Sequence, residues 1–367
     1  MIFPEELFLP QKTIFKKGAS TEIAKEVSDF GLKGLIVHGK SLERSCQKKR
    51  IIEGFSLPFK VEYFCRESGE PELSEISRVI KKAKALKADW IVGIGGGSVL
   101  DLAKAAAGLF NAEKEPAYYQ EGGELEKRGI PFIAVPTTCG TGSEATPNSV
   151  IINKEKKIKL SIRDRSFLAR KVILDVKLLK SLPQSVMTYA AMDAFVQGYE
   201  SLVSKGATWF TESLALKAIE LIDRNIINAY RAGAEESLSF LLLGSYLGGL
   251  ALSSSRLGVI HGIAHPLGVL YDLPHGLICA VCFTPSIKLN RKSIGNKYEI
   301  ISNILGMDFL KRVELLLKTF KIVSPFKGKK IIAKEKIIKE TITSSSTLAN
   351  PRTIKPKDIE FILKEIF

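Results

Sequence analysis

The run WIVGIGGGSVLDLAKAAAGLF, Trp90 to Phe110, constrains the fold more than any other part of the chain. It opens on Trp90–Ile94 with no polar residue, turns through consecutive glycines, and continues as a helix expected to begin near Ser98. A strand without a polar face is buried on both sides, and a strand that passes directly into a helix is half of a parallel crossover unit. GLIVHGKS (Gly34–Ser41), VEYF, PFIAVPTT and KVILDV (Lys171–Val176) read as further strands. Between them, Leu73, Ile76, Val79, Ile80, Ala83 and Leu86 recur at helical spacing over Glu72–Ala88. The first half is therefore an α/β domain with a Rossmann-like parallel sheet.

After SLPQS (Ser181–Ser185) the texture changes. MTYAAMDAFVQGYESLVS, SLALKAIELIDRNIINAY and ESLSFLLLGSYLGGLALSSS all carry helical periodicity, with hardly any strand signal. At 367 residues the chain exceeds one average domain. The expected division is a nucleotide-binding α/β domain over 1–180 and an all-α domain over 181–367.

The net charge of +15 would suit a nucleic-acid partner, but the lysines are scattered and no basic stripe is interleaved with aromatics. KGKKIIAKEKIIKE (Lys327–Glu340) reads instead as the solvated face of an amphipathic helix. No run of eighteen uncharged apolar residues and no signal peptide is evident, so the expectation is a cytoplasmic protein with no membrane and no nucleic-acid partner. The five cysteines, Cys46, Cys65, Cys139, Cys279 and Cys282, are odd in number and dispersed, which argues against a disulfide framework. Cys279 and Cys282 form a lone CxxC flanked by apolar residues, the pattern of core packing rather than of a zinc knuckle.

Two loops have the chemistry to receive phosphate. Gly95, Gly96 and Gly97 separate a buried strand from a helix start, where backbone can approach a diphosphate and free amides favour its charge. Ser98 is placed to cap that helix, with Asp101 in its first turn. PTTCGTGSEAT (Pro136–Thr146) is a second loop of small and hydroxyl residues at a strand end. Two such loops on one parallel sheet indicate a nucleotide site. Neither is a GxGxxG loop followed by a ribose-binding acid, and no Walker lysine motif is present.

The chain has four histidines, and three of them, His261, His265 and His275, fall in HGIAHPLGVLYDLPHG. His261 and His265 share a helical face. On another helix, MDAFVQGYE sets Asp193, Gln197 and Glu200 at i, i+4 and i+7, also on one face. A carboxylate on an apolar helix needs a compensating charge, and Asp with two or three His is a donor set suited to Zn²⁺ or Fe²⁺.

Taken together, GGGSVLDLAKA, PTTCGTGSEAT, the Asp193 helix and the HGIAHPLG–PHG pair resemble the iron-containing alcohol dehydrogenase family. The likeness runs from LPQKTIFKKGA near the start to ANPRTI near the end. The resemblance implies a dehydroquinate synthase-like architecture, a homodimer, NADP or NAD as cofactor and one divalent metal, Fe²⁺ or Zn²⁺. It implies hydride transfer between NAD(P) and an alcohol, aldehyde or ketone. By the same likeness Gly95, Gly96, Gly97 and Ser98 would hold the diphosphate, and Asp101 would brace the turn. Thr137, Thr138 and Thr141 would line the cofactor, with Lys159 near its ribose. Asp193, His261 and His275 match metal ligands, His265 a histidine beside the nicotinamide, and Asn148 a polar residue beside the active centre.

Two positions depart from the family pattern. Gln197 stands where many relatives have a fourth, histidine ligand, and Glu70 precedes Pro71 where many have Asn. At the end of the HGKS strand, Gly39, Lys40 and Ser41 offer no acid to the ribose 2′-hydroxyl, which favours NADP(H). The rival within this architecture is a dehydroquinate synthase-like lyase. That chemistry would need several Arg and Lys contacts near the metal, and the metal-domain motifs are mostly apolar.

Overall fold

The computed structural model describes residues 2–43, 45, 47–67, 69–156 and 158–367; Cys46 lies outside the described residues. The described residues form two compact units, Phe8–Pro183 and Gln184–Phe367, the second of which also takes in the residues up to Leu7.

The first unit is built on strands β1 (Lys12–Phe15), β2 (Lys33–Gly39), β3 (Lys60–Arg66), β4 (Trp90–Gly95), β5 (Phe132–Pro136) and β8 (Lys171–Leu174). They pair in parallel in the order β1-β8-β5-β4-β2-β3. Leu35 lies opposite Ile91, and Ile91 opposite Phe132, so the apolar runs of the central strands share one register. Every residue of β4 and β5 is buried, as the lack of polar alternation requires. Helix α1 (Leu73–Leu86) matches the periodic segment, and α2 (Gly97–Gly108) follows the glycine turn. The cap differs from expectation: Gly96 is the N-cap, and Ser98 sits inside the first turn with no capping bond. With Gly95 ending the strand, one extended residue suffices to turn the chain, so the helix starts before the serine.

Three strands leave no clear trace in the sequence. β1 is short and exposed, held because the buried Asp175 accepts from the amides of Gly18 (2.8 Å) and Ser20 (3.1 Å) and from Ser20 Oγ (2.6 Å). A separate antiparallel pair, β6 (Asn148–Asn153) and β7 (Ile158–Arg163), follows the second loop.

The second unit is helical: α3 (Gln184–Val203), α4 (Trp209–Ala232), α5 (Glu235–Ser255), α6 (Val259–Tyr271), α7 (His275–Asn290), α8 (Lys297–Leu305), α9 (Phe309–Thr319), α10 (Lys334–Thr343) and α11 (Pro356–Ile366), with longer connections only before α10 and before α11. From Ala191 to Val203 every residue of α3 is buried, so this helix is a central one with neighbours all round. Phe195, Tyr199, Phe283 and Phe309 meet as one aromatic cluster, with centroids 5.3–6.4 Å apart. Phe3 belongs to this unit too, its ring 5.0 Å from that of Phe210.

One expectation changes here. Lys327–Glu340 is helical only from Lys334, because Ala333 adopts a left-handed backbone that starts α10 anew. By hydropathy α5 is long and apolar enough to cross a membrane, although 61% of that stretch is buried within the protein.

Candidate metal centre and nucleotide loops

The buried helix α3 turns Asp193, Gln197 and Glu200 inward, all at most 3% exposed. Glu200 caps the start of α6. It accepts from the backbone amides of Ile260 (2.7 Å) and His261 (3.4 Å) and pairs with His261 Nδ1 at 2.7 Å. Those amides begin a helix and have no partner within it. Gly258 is required at this point, since a Cβ there would stand 2.6 Å from Glu200 Oε1. With Nδ1 committed to Glu200, His261 presents Nε2 to Asp193 Oδ1 at 3.3 Å.

His275 is the first residue of α7. Its Nε2 lies 3.7 Å from Asp193 Oδ1 and 3.6 Å from Cys279 Sγ, one turn further along the same helix. Gly276 lets α7 approach α3 this closely: an added Cβ would fall 2.3 Å from the Tyr189 carbonyl oxygen. Donor atoms of Asp193, His261, His275 and Cys279 all lie within 4.8 Å of one another. His265 is one turn beyond His261 and half-buried, its ring centroid 5.7 Å from that of His275, and it is not part of this group.

The electrostatics ask for positive charge. Burial alone would push His261 down, but the nearby carboxylates of Asp193 and Glu200, the second hydrogen-bonded to Nδ1, outweigh it and raise the imidazole to about 9. Burial would raise Asp193, yet His275 and His261 hold its carboxyl below the usual value. Asp193 Oδ1 and His261 Nε2 are both buried without a hydrogen-bond partner. Two orphaned donor atoms facing each other beside a second imidazole fit a divalent cation. Gln197 turns differently. Its Nε2 donates to Asp193 Oδ2 at 3.4 Å, and its unpartnered oxygen lies on the side of Gly248.

In the α/β unit the two sequence loops are in direct contact. A Cβ on Gly97 would stand 2.6 Å from Thr141, one on Gly96 3.1 Å from Thr138, and one on Gly95 2.5 Å from Val99. Gly39 approaches Val99 in the same way, at 3.1 Å. Gly39, the glycine turn and Thr137–Thr141 therefore meet at the carboxyl ends of β2, β4 and β5, where open α/β sheets bind ligands. Lys159, on β7, is held by Glu70 at 2.7 Å, so the departure at Glu70 gives this lysine its partner. Lys40 pairs with Glu67.

Asp101 braces more than its own turn. It accepts from Ser143 Oγ and from the Val150 amide (3.0 Å), tying α2 to the second loop and to β6. Three residues that sequence reasoning missed complete this frame. Lys104, wholly buried, donates to the Ser143 (2.6 Å) and Asn148 (2.7 Å) carbonyls and to two hydroxyls, and burial lowers its ammonium to about 8 against the pull of Asp101 and Glu144. Burial raises Glu144 to about 7. Arg66, buried at the end of β3, donates to the Gly69 carbonyl (2.8 Å) and reaches Ser98 Oγ at 3.4 Å. A cation inside the alanine-rich α2, and another at a strand's carboxyl end, were the available signals.

Residues 10–176 match the iron-containing alcohol dehydrogenase family, and residues 187–367 match the C-terminal region of the same family. The chain belongs to the iron-containing alcohol dehydrogenases. It is 33% identical to a sulfoacetaldehyde reductase of Bilophila wadsworthia, over 81% of this chain and 78% of that protein. It is 30% identical to alcohol dehydrogenase 4 of Saccharomyces cerevisiae, over 77% and 74% of the two chains. The alcohol dehydrogenase structure from Oenococcus oeni superposes with a TM-score of 0.93 at 25% identity, covering 99% of this chain and 100% of the other. As a member of the family the chain is a metal-dependent oxidoreductase that moves hydride between NAD(P) and an alcohol or aldehyde. The same matches lend nothing to the lyase alternative.

Proposed function

We propose that Asp193, His261 and His275 hold the divalent metal of this dehydrogenase, while Gly95, Gly96, Gly97, Ser98, Thr137, Thr138 and Thr141 hold its dinucleotide. The substrates are alcohols and the corresponding aldehydes or ketones. The convergence of the orphaned Asp193 Oδ1 and His261 Nε2 beside His275 supports this reading most strongly. When bound, the metal supplies a Lewis acid for the substrate oxygen and the dinucleotide accepts or delivers the hydride. Glu200 keeps the proton of His261 on Nδ1 and so keeps Nε2 available as a donor. The buried walls of α3 and α6 exclude water from the donor atoms. His265, half-buried beside His275, is positioned to carry a proton outward, Asn148 serves beside the active centre, and Lys159 serves near the cofactor ribose.

Cofactor choice goes to NADP(H), since Gly39, Lys40 and Ser41 place no acid at the end of β2; a 2′-phosphate would compete with Glu67 for Lys40. The working assembly is a cytoplasmic homodimer, for which the exposed Phe15 on edge strand β1 is the supporting feature. The deciding experiment is a screen of alcohols and carbonyl compounds with both cofactors and with Fe²⁺, Zn²⁺ or Mn²⁺, joined to metal analysis of the His261→Ala and His275→Ala variants. Loss of both metal and turnover is expected. A His261→Ala protein that keeps its metal overturns the ligand assignment.

A further inference from the structure

Cys279 stands apart from the other described cysteines. It is fully buried, four residues after His275 on α7, and its sulfur points at the three donors just assigned. A four-coordinate zinc-type site with bonds of about 2.0–2.3 Å places neighbouring ligand atoms about 3.3–3.6 Å apart. The separations here are 3.3 Å for His261 Nε2 to Asp193 Oδ1, 3.7 Å for His275 Nε2 to Asp193 Oδ1, and 3.6 Å for His275 Nε2 to Cys279 Sγ. These three separations lie close to the edge lengths of such a site, and the remaining donor pairs fall within 4.8 Å. The unpartnered Asp193 Oδ1 and His261 Nε2 are independent signs that a ligand belongs among them.

We infer that Cys279 Sγ is the fourth protein donor to the metal, completing an Asp193, His261, His275, Cys279 set in place of Gln197. This rests on the metal-centre reading above. Gln197 instead donates its amide N–H to Asp193 Oδ2, which orients the carboxylate for coordination through Oδ1. Binding exchanges the thiol proton of Cys279 for the metal, and the proton leaves to solvent. A thiolate makes the set softer than imidazole and carboxylate alone, and shifts preference towards zinc and away from iron.

The test uses the full chain, stripped of metal and reloaded with Co²⁺ without oxygen. Bound Co²⁺ is counted by elemental analysis, and the near-ultraviolet spectrum is read for a thiolate-to-cobalt charge-transfer band. The expected result is one Co²⁺ per chain with that band, lost in Cys279→Ser and Cys279→Ala but retained in Cys282→Ala and Cys65→Ala. The Cys65 variant matters because His38, Glu43 and Cys65 form another possible cation cluster. Stoichiometric Co²⁺ without the band overturns the role of Cys279 and leaves the other three ligands standing. A band that survives Cys279→Ser, or vanishes in Cys65→Ala, overturns it equally. Failure to bind Co²⁺ at all overturns the metal centre itself and this inference with it. The wild-type spectrum alone decides the matter should a variant fail to fold.

Discussion

Changing Glu200 to glutamine isolates the contribution of a group that touches no metal. Both carboxylate oxygens are in use: Oε1 takes the Ile260 amide at 2.7 Å, and Oε2 takes His261 Nδ1 at 2.7 Å. Glutamine keeps only one acceptor oxygen. If that oxygen stays on Ile260, the new NH₂ group faces Nδ1, which must then accept, and the ring proton moves to Nε2. A protonated Nε2 cannot bind a metal. If the oxygen turns to His261 instead, the Ile260 amide is buried without a partner, at a cost of about 1–3 kcal/mol. Either outcome matches the tenfold to hundredfold loss usual when the group orienting a metal-bound histidine is removed, about 1.4–2.8 kcal/mol in affinity. Competition for Zn²⁺ with a chromophoric chelator measures this, with thermal melting followed in parallel. A folded Glu200→Gln protein that binds Zn²⁺ within about threefold of wild type would refute the tautomer argument, since a loss of about tenfold is the minimum expected.

Glu144 gives a pH-dependent prediction. Its folded value of about 7 lies above the 4.5 of the free side chain, so the stability it lends is full below 4.5 and is lost as pH rises towards 7. Glu144→Gln should therefore gain on wild type from pH 5 to pH 8, on the order of 1–3 kcal/mol, and melting curves that shift equally at both pH values would contradict this. Gly95→Ala forces a Cβ to 2.5 Å from the stiff, branched Val99, and should cost about 1–3 kcal/mol in denaturant unfolding. His265→Ala should keep its metal, because that ring lies outside the donor group, while kcat falls by about tenfold or more; a metal-free variant would show that the histidines are wrongly divided.

The sheet was legible because buried strands leave an unambiguous trace: Trp90–Ile94 and Phe132–Pro136 have no polar face to confuse the reading. β1 was not, because only two of its four residues, Ile14 and Phe15, are apolar and it is held by Asp175, a contact between distant parts of the chain. The histidine cluster and Asp193 could be singled out by spacing alone. What spacing could not give is direction. Gln197 and Cys279 both sit one turn from a proposed ligand, yet the fold turns the amide nitrogen of one to Asp193 and the sulfur of the other towards His275. Lys104 reads, in sequence, like any lysine on a helix, and Glu144 like any acid in a loop, because burial leaves no mark on a single charged residue.

The contact of Phe3 with Phe210 has a consequence for how the molecule is made. The α/β unit, Phe8–Pro183, leaves the ribosome as one continuous stretch and can close as soon as Lys171–Leu174 has emerged to take its place between β1 and β5. Phe3, which leaves earlier still, must wait through roughly two hundred residues of synthesis for its partner ring, at an entropic cost that grows only slowly with that length. The helical unit is thus assembled from stretches that lie on both sides of the α/β unit in the sequence. Removing Phe3 would disturb the helical unit, not the α/β unit that follows it in sequence.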